Sequence, residues 1–253
     1  MVYDLQKASF WKRTAAWMFD SFLIIVLAVG AAFLLSTMLN YDSYSDGVSD
    51  AYSRYETDYG VSFDVTQEEY QSWTKEKQQA YDEAYQALLA DEQAMYDYNM
   101  VVNLTMVVAS LSILIAVMLL EFVVPLILKN GQTCGKKIFG LCVIREDCVK
   151  ISTMQLFVRT VLGKFTIEIM IPVYVILMLF WGIADLTGTI LLLALALAEL
   201  ISLIVTRKNA ALHDLIAGTA VADLSSQMIF RTTEDLIEFQ KKVHAERAAR
   251  QPY

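Results

Sequence analysis

The chain has 253 residues, of which 56% are hydrophobic, and a formal net charge of −8 at pH 7. Its mean hydropathy of +0.43 is well above that of a typical soluble domain. A water-soluble globule does not need several unbroken apolar runs of twenty residues, so the composition predicts an all-α integral membrane protein surrounded by a lipid bilayer. We expect no nucleic-acid partner and no cofactor.

Four apolar segments are long enough to cross about 30 Å of hydrocarbon at about 1.5 Å per residue. The first begins close to Met1, and we expect it to be retained as a signal anchor within an N-terminal segment 1–39. The predicted spans are 15–39, 100–128, 165–181 and 186–205.

Lysine and arginine are distributed unevenly around these spans. Seventeen of the 20 lie before the first span, within residues 129–164, or after the fourth span. The other three lie in the loop 40–99 among 14 acidic residues, which gives that loop a net charge of −11. The positive-inside rule therefore predicts cytoplasmic termini, an extracellular loop 40–99 and a location in the plasma membrane.

The loop 40–99 carries signals for helix. Thr66 and Glu69 have the spacing of a capping box, and no glycine or proline follows before Asn99. This pattern predicts one long helix that can continue into the second span. Ten of the 13 tyrosines lie between Tyr41 and Tyr98, so residues 41–99 are interpreted either as a solvated acidic cap or as a surface for a protein partner.

Residues 129–164 are predicted to form a cytoplasmic interfacial loop with a small hairpin. Leu141–Arg145 and Val149–Ile151 flank a polar turn, which is the pattern of two short paired strands. Ser152 and Gln155 then form a capping pair that opens the third helix.

After the fourth span, residues 206–227 form a closing segment and residues 228–253 an amphipathic helix. We expect this last helix to lie in the cytoplasm or along the lipid headgroups.

Three motifs flank the spans on the predicted cytoplasmic side. They are the start of the first helix from Phe10 through Arg13 to Asp20, the glycine-containing loop Gly131–Val143, and the segment Asn209–Thr219. Together these motifs resemble the RDD family of bacterial membrane proteins, over residues 10–39 and 100–223. The family's naming residues correspond to Arg13, Asp20 and Asp214. The resemblance implies a transporter, and sodium–proton exchange is proposed for some members of the family.

Four acidic residues lie inside the predicted spans, namely Asp20, Glu121, Glu168 and Glu199. A charged side chain at such a position costs at least about 2.5 kcal/mol on insertion scales, so each is a candidate for binding a cation or proton. Counting from the nearest basic residue, Asp20, Glu121 and Glu199 are predicted about 10–12 Å inside the cytoplasmic interface, and Glu168 about 6 Å. Clustered carboxylates would let a proton and a cation compete for one site.

The prolines inside the spans add oxygen ligands to this hypothesis. Pro125 and Pro172 follow Glu121 and Glu168 by four residues, and each removes the hydrogen bond to that glutamate's carbonyl. A carboxylate beside a freed carbonyl suits a hard cation.

A structural alternative remains open for each acid. Asp20 could cap or bond a neighbouring helix, and Glu168 could pair with Lys164 or Arg159. Buried polar residues also hold membrane helices together without transporting anything.

Arg13 is predicted to act as a structural clasp. Its side chain leans towards the N-terminus of the helix, whereas Asp20 lies two turns in the other direction. We therefore expect Arg13 to pair with Asp214 of the closing segment. His213 is interpreted as a hydrogen-bonded interfacial side chain rather than a metal ligand.

Two functional hypotheses follow. The first is a small transporter or cation/proton exchanger that uses Asp20, Glu121, Glu168 and Glu199 to bind a monovalent cation or proton, working as a homo-oligomer because four helices are few for alternating access. The second is a membrane scaffold that binds partners through residues 41–99 and the C-terminal helix. An enzyme is least favoured, since the sequence has no metal-ligand spacing of His and Cys, no nucleophile elbow and no phosphate-binding loop.

Overall fold

The computed structural model describes residues 5–6, 8–182, 186–206 and 210–250. Lys7, Arg207, Lys208 and Asn209 lie outside the described residues. Asn209 is the first residue of the motif Asn209–Thr219, and Arg207 is the basic residue from which the depth of Glu199 is counted.

Helices make up most of the described chain. In chain order they are α1 (Phe10–Met38), α2 (Tyr41–Tyr59), α3 (Gln67–Ser72), α4 (Lys75–Ala90), α5 (Glu92–Leu128), α6 (Cys134–Ile138), α7 (Thr153–Phe180), α8 (Leu186–Val205), α9 (Leu212–Ala217) and α10 (Thr233–Arg250). The described residues also contain two strands, β1 (Leu141–Arg145) and β2 (Thr219–Asp223).

Helices α1, α5, α7 and α8 are the four in the described chain that are long and apolar enough to cross a membrane. The prediction of an all-α membrane protein with about four spans is thereby confirmed. Helix α7 begins earlier than its predicted span, because the capping box at Ser152 is formed: its hydroxyl accepts from the N–H of Gln155 at 3.2 Å, and the Gln155 side chain accepts from the N–H of Ser152 at 3.3 Å.

Two of these helices widen into π-helix just before a proline. In α5 the π-helical segment is Met118–Val123 and precedes Pro125; in α7 it is Val158–Met170 and precedes Pro172. Such widened turns are frequent at functional sites. Both segments carry charged residues that meet in the site described below.

Residues Val29–Ser112 form a compact unit of their own. The prediction of one long helix after Thr66 is wrong here, because two further N-caps interrupt it. Thr74 caps α4 by accepting from the N–H of Lys77, and Asp91 caps α5 by accepting from the N–H groups of Gln93 and Ala94. The capping box at Thr66 therefore opens only the six-residue α3, whereas α5 does continue into the second span.

This unit is held together by small apolar residues and an aromatic cluster. Ala51, Leu88 and Ala94 are buried where α2, α4 and α5 meet. The ring of Phe63 makes edge-to-face contacts with Tyr52 and Tyr81, at centroid distances of 5.4 and 5.5 Å. Part of the tyrosine content of the segment therefore packs within the unit itself.

The strands pair with each other, which corrects the predicted hairpin. β1 and β2 are antiparallel, with Leu141 opposite Asp223 and Arg145 opposite Thr219. The predicted turn is present, since the N–H of Arg145 donates to the carbonyl of Val149 at 2.9 Å, but the chain beyond it makes only an isolated bridge to β1.

The sheet is covered on both sides. On one face, Cys142 and Ile144 pack against Ala222 and against Leu236 of α10. On the other face, Leu141, Val143 and Val221 pack against Ala16 of α1 and Leu156 of α7. The N-terminal part of helix α10 therefore packs against the sheet.

Candidate functional site

Charged side chains from six helices meet within the unit formed by residues 1–28 and 113–253. The groups are those of Arg13, Asp20, Glu121, Lys136, Arg159, Lys164, Glu168, Glu199, His213 and Asp214. We call this set the ion-pair network.

Asp20 binds the loop that follows the second span. Its two carboxylate oxygens accept from the hydroxyl of Thr133 at 2.5 Å and from the N–H of Gly135 at 2.8 Å, and the Lys136 ammonium lies 3.9 Å away. Gly135 is required for this close approach, because a Cβ there would lie 2.4 Å from the carbonyl oxygen of Ala16. Asp20 therefore joins α1 to the first turn of α6.

Glu121 is surrounded by cations although it is only 1% exposed. It pairs directly with Lys164, and its other oxygen lies 3.7 Å from Lys136 and 3.9 Å from Arg159. Burial lowers the pKa of Lys136 below its ordinary value, while the charge of Glu121 acts in the opposite direction. A charge this deep is stable only because its partners are buried with it.

Asp214 is fully buried and forms the second centre of the network. It accepts from Arg159 Nε at 2.9 Å and from the hydroxyl of Thr219 at 3.0 Å, and Arg13 lies 3.8 Å away. The expected pairing of Arg13 with Asp214 is therefore observed. Burial raises the pKa of Asp214, but the charge and hydrogen bond of Arg159 and the charge of Arg13 hold it well below its ordinary value.

His213 links Glu168 to Arg159. Its Nδ1 lies 2.7 Å from a carboxylate oxygen of Glu168, and its Nε2 lies 2.8 Å from an Arg159 nitrogen. A guanidinium can only donate, so Nε2 accepts and Nδ1–H donates, which is the arrangement of a neutral imidazole. Glu168 thus pairs with His213, whereas the two basic residues proposed as its partners from the sequence, Lys164 and Arg159, bind Glu121 and Asp214.

Gly163 allows this contact between α7 and α9. A Cβ at this position would lie 2.6 Å from the Cβ and 2.7 Å from the Cα of His213. Only glycine at this position lets α9 lie directly on α7.

Glu199 is bonded differently from the other acids. Its carboxylate is half-buried and accepts from the N–H of Leu212 at 3.1 Å. Within the described residues it has no cation within 4 Å. Charges of Glu168, Asp214 and Arg13 act on it from three neighbouring helices.

A cavity of about 820 Å³ opens beside the network, between α1, α7 and α8. Its charged end includes Arg13, Glu168, Glu199 and His213, and the remainder is mainly apolar. The apolar part is lined by residues of all three helices, among them Trp17, Ile24, Pro172, Leu192, Leu195 and Ala196.

The four acids predicted from the sequence are brought together, but with cations between them. Asp20 and Glu121 share Lys136, and Arg159 connects Glu121 to Asp214. Sequence reasoning named Lys164 and Arg159 only as alternative partners of Glu168, and it did not include Lys136 in the site. Among the residues that the structure describes, no group of three or more His, Cys, Asp or Glu side chains is placed to hold a metal ion.

Four helices able to cross a bilayer, joined by a buried network of ion pairs, define a multi-pass helical membrane protein. The chain belongs to the RDD family, whose family model matches residues 7–218. The match includes all three of the residues Arg13, Asp20 and Asp214, and it confirms the resemblance found in the sequence motifs. No curated protein and no solved structure is detectably similar to the chain.

Proposed function

We propose that this protein is a small transporter that exchanges a monovalent cation for a proton, with Glu199 as the carboxylate that binds each in turn. One observation carries the proposal. Glu199 lines the cavity without an ion pair among the described residues, whereas Asp20, Glu121, Glu168 and Asp214 each have a basic partner. An unpaired carboxylate inside a membrane is costly unless it takes up a proton or a cation.

The other acids predicted from the sequence are less suited than Glu199 to bind the transported ion, because other groups of the protein already hold them. Asp20 and Glu121 are held by hydrogen bonds and ion pairs that tie helices together. Glu168 borders the cavity beside Glu199, but His213 occupies its carboxylate. Hence, among the described acids of the network, Glu199 is the one that can change its bound ion without breaking a salt bridge or a hydrogen bond to another side chain.

Glu199 is also connected to the rest of the network. Its bond to the N–H of Leu212 reaches the first turn of α9, which carries His213 and Asp214. A change of charge on Glu199 therefore acts on the helix that joins α7 to α1 through Arg159 and Arg13. Through this connection, binding of an ion at Glu199 can change how the apolar helices pack against one another.

The topology follows from the charges. Basic residues surround the sheet and precede α1, which favours a cytoplasmic location for both and an extracellular one for the acidic residues 40–99 in the plasma membrane. Four spans are few for alternating access, so the transporter would act as a homo-oligomer.

Proteoliposomes with a trapped pH-sensitive dye test the exchange. An imposed gradient of a monovalent cation, tested with Na⁺, K⁺ and tetraethylammonium in turn, should drive proton movement in the wild type for at least one of them, and Glu199→Gln should reduce that rate at least about tenfold. Glu238→Gln, an exposed glutamate of α10, serves as the matched control and should leave the rate unchanged. Absence of cation-dependent proton movement in the wild type, or an equal rate in Glu199→Gln, would overturn the proposal.

A second candidate function is that of a membrane scaffold, and the aromatic residues of the insertion favour it. Tyr85 and Tyr96 are 42% and 53% exposed in a segment of net charge −11, and exposed aromatic residues are enriched in protein interfaces. Replacing residues 42–97 with a flexible linker separates the two functions. Retained exchange after this deletion would show that the insertion is not part of the transport machinery.

A further inference from the structure

We propose that the cavity beside Glu199 binds a monovalent organic cation with an apolar body. This inference rests on the proposed exchange and names the substrate class of the same site. It joins two features of the structure, the apolar walls of the cavity and the absence of an ion pair at Glu199 in the described chain.

The sign of the ligand charge follows from which side chains already have partners. Each of the four Lys and Arg side chains that line the cavity lies within 4 Å of a carboxylate. An anionic head group would have to break one of these buried pairs, which is costly because the displaced partner stays buried. A cationic head group can bind Glu199 instead, because Glu199 has no ion pair among the described residues.

The magnitude of the ligand's charge follows from the number of acidic and basic groups in the ion-pair network. It contains five carboxylates and four Lys or Arg side chains, and the hydrogen bonds of His213 are those of a neutral imidazole. One negative charge is therefore left over when Glu199 is ionised. A single positive charge neutralises it.

The walls favour an organic cation over a metal ion. Hard cations such as Ca²⁺ and Mg²⁺ require about six oxygen ligands, and in the described chain no cluster of acidic, His or Cys side chains is built for a metal. The neighbours of Glu199 along α8 are instead Leu192, Leu195 and Ala196. A volume of about 820 Å³ lies in the range of small-molecule sites.

An aromatic ring adds to this preference. Trp17 of α1 lines the same cavity and is 60% exposed in the isolated chain. The face of an indole attracts a poorly hydrated cation. The cavity thus offers an organic cation a carboxylate at one end and an aromatic surface on its wall.

Proton and ligand compete at one carboxylate. The charged groups that act on Glu199 are Glu168 from α7, Asp214 from α9 and Arg13 from α1, and the N–H of Leu212 donates to it. Protonation of Glu199 removes the surplus negative charge and with it the attraction for the ligand. One proton bound for one cation released conserves charge in the site.

Isothermal titration of the full-length protein in phosphatidylcholine nanodiscs tests the inference, with tetraphenylphosphonium as the probe. We expect saturable one-to-one binding at pH 8, weakened at least about tenfold at pH 5. Glu199→Gln and the cavity-filling Ala196→Trp should each weaken binding at least about tenfold. Leu193→Trp, which is on the same helix, is absent from the cavity lining and is 60% exposed, should bind like the wild type.

Ala196→Trp keeps every charge in place, so the test remains decisive if Glu199→Gln fails to fold. No saturable binding by the wild type, or equal binding by the wild type and Ala196→Trp, would overturn the inference. Exchange of Na⁺ or K⁺ for protons without tetraphenylphosphonium binding would overturn the inference and leave the proposed function standing. Binding at the cavity without any cation-driven proton movement would support the site and overturn the proposed exchange.

Discussion

The hydroxyl of Thr160 donates a hydrogen bond of 3.0 Å to the backbone carbonyl of Glu121. This is the carbonyl to which Pro125, four residues later, cannot donate in helical geometry. Both residues are only 1% exposed, so the carbonyl is shielded from bulk solvent. A side chain of α7 therefore completes the backbone hydrogen bonding of α5 at the point where α5 widens.

Thr160→Val should destabilise the protein by about 1–3 kcal/mol, because the substitution keeps the shape but leaves a buried carbonyl without a donor. Thermal unfolding in detergent measures the loss. Thr166→Val is the matched control on the same helix, since its hydroxyl bonds to the carbonyl of Val161 in an exposed position. Equal losses in the two variants would show that the bond between the helices contributes nothing specific.

Glu121→Gln should lower stability by about 3–5 kcal/mol, because Lys164, Lys136 and Arg159 would lose their shared negative partner in a buried site. The double variant Glu121→Gln with Lys164→Met removes one of the uncompensated charges and should recover part of the loss. Melting temperatures of the wild type, both single variants and the double variant give the coupling free energy. Additive effects would contradict a direct pairing.

Gly163→Ala should destabilise the protein by about 1–3 kcal/mol, since the added Cβ meets the backbone of His213, which cannot move without displacing α9. The steric cost exceeds the gain of up to about 1 kcal/mol that alanine brings to a helix. Gly30→Ala in α1 is the control, because nothing lies within 4 Å of its added Cβ. Its melting temperature should be unchanged or slightly higher than that of the wild type.

Asp214 should contribute to the pH dependence of stability. Its pKa is held below the ordinary value of 3.8, so its contribution is complete above the pKa of the unfolded chain and is lost on acidification below it. Asp214→Asn should cost about 3–5 kcal/mol at pH 7, because the buried Arg159 loses the carboxylate to which it donates and keeps only Glu121, at 3.9 Å. The difference from the wild type should shrink as the pH falls below about 4, as measured by melting temperatures at several pH values.

Asp223→Asn provides the comparison for this experiment. Asp223 pairs with Lys12 at 2.6 Å near the surface, and that hydrogen bond is the main reason that its pKa is lowered to about 2. Its contribution is also present above the unfolded pKa and is lost as the pH falls towards 2. Because Lys12 is half exposed, Asp223→Asn should cost less than about 1 kcal/mol at pH 7. A loss as large as that of Asp214→Asn would contradict the assigned difference in burial.

The features that the sequence predicts correctly are those that depend on residues close together along the chain. The capping box at Ser152 and Gln155 and the apolar runs of the four spans were read correctly, because caps and hydrophobic length are local signals. The caps at Thr74 and Asp91 are equally local signals. They end the preceding helices although no glycine or proline lies between residues 66 and 99, so a Thr or Asp N-cap is sufficient to interrupt a helix here.

Long-range features could not be predicted in the same way. The pairing of β1 with β2 joins segments about 80 residues apart, and nothing in residues 141–145 identifies residues 219–223 as their partner. The position of Lys136 between Asp20 and Glu121 likewise depends on how three separate segments pack. Depth counted along single helices predicts a level for each acid but gives no information on the cations between them.

The order of β1 and β2 along the chain has a consequence for biosynthesis. The ribosome releases Leu141–Arg145 before both of the helices α7 and α8, whereas Thr219–Asp223 emerges after them. During translation the edge of β1 stays open, and Arg159 of α7 is synthesised before Asp214, the carboxylate to which it donates a hydrogen bond. Packing of the helical bundle is therefore completed by a segment that is translated after the last apolar helix, and a chain that stalls before this segment keeps an unpaired strand edge, which favours aggregation.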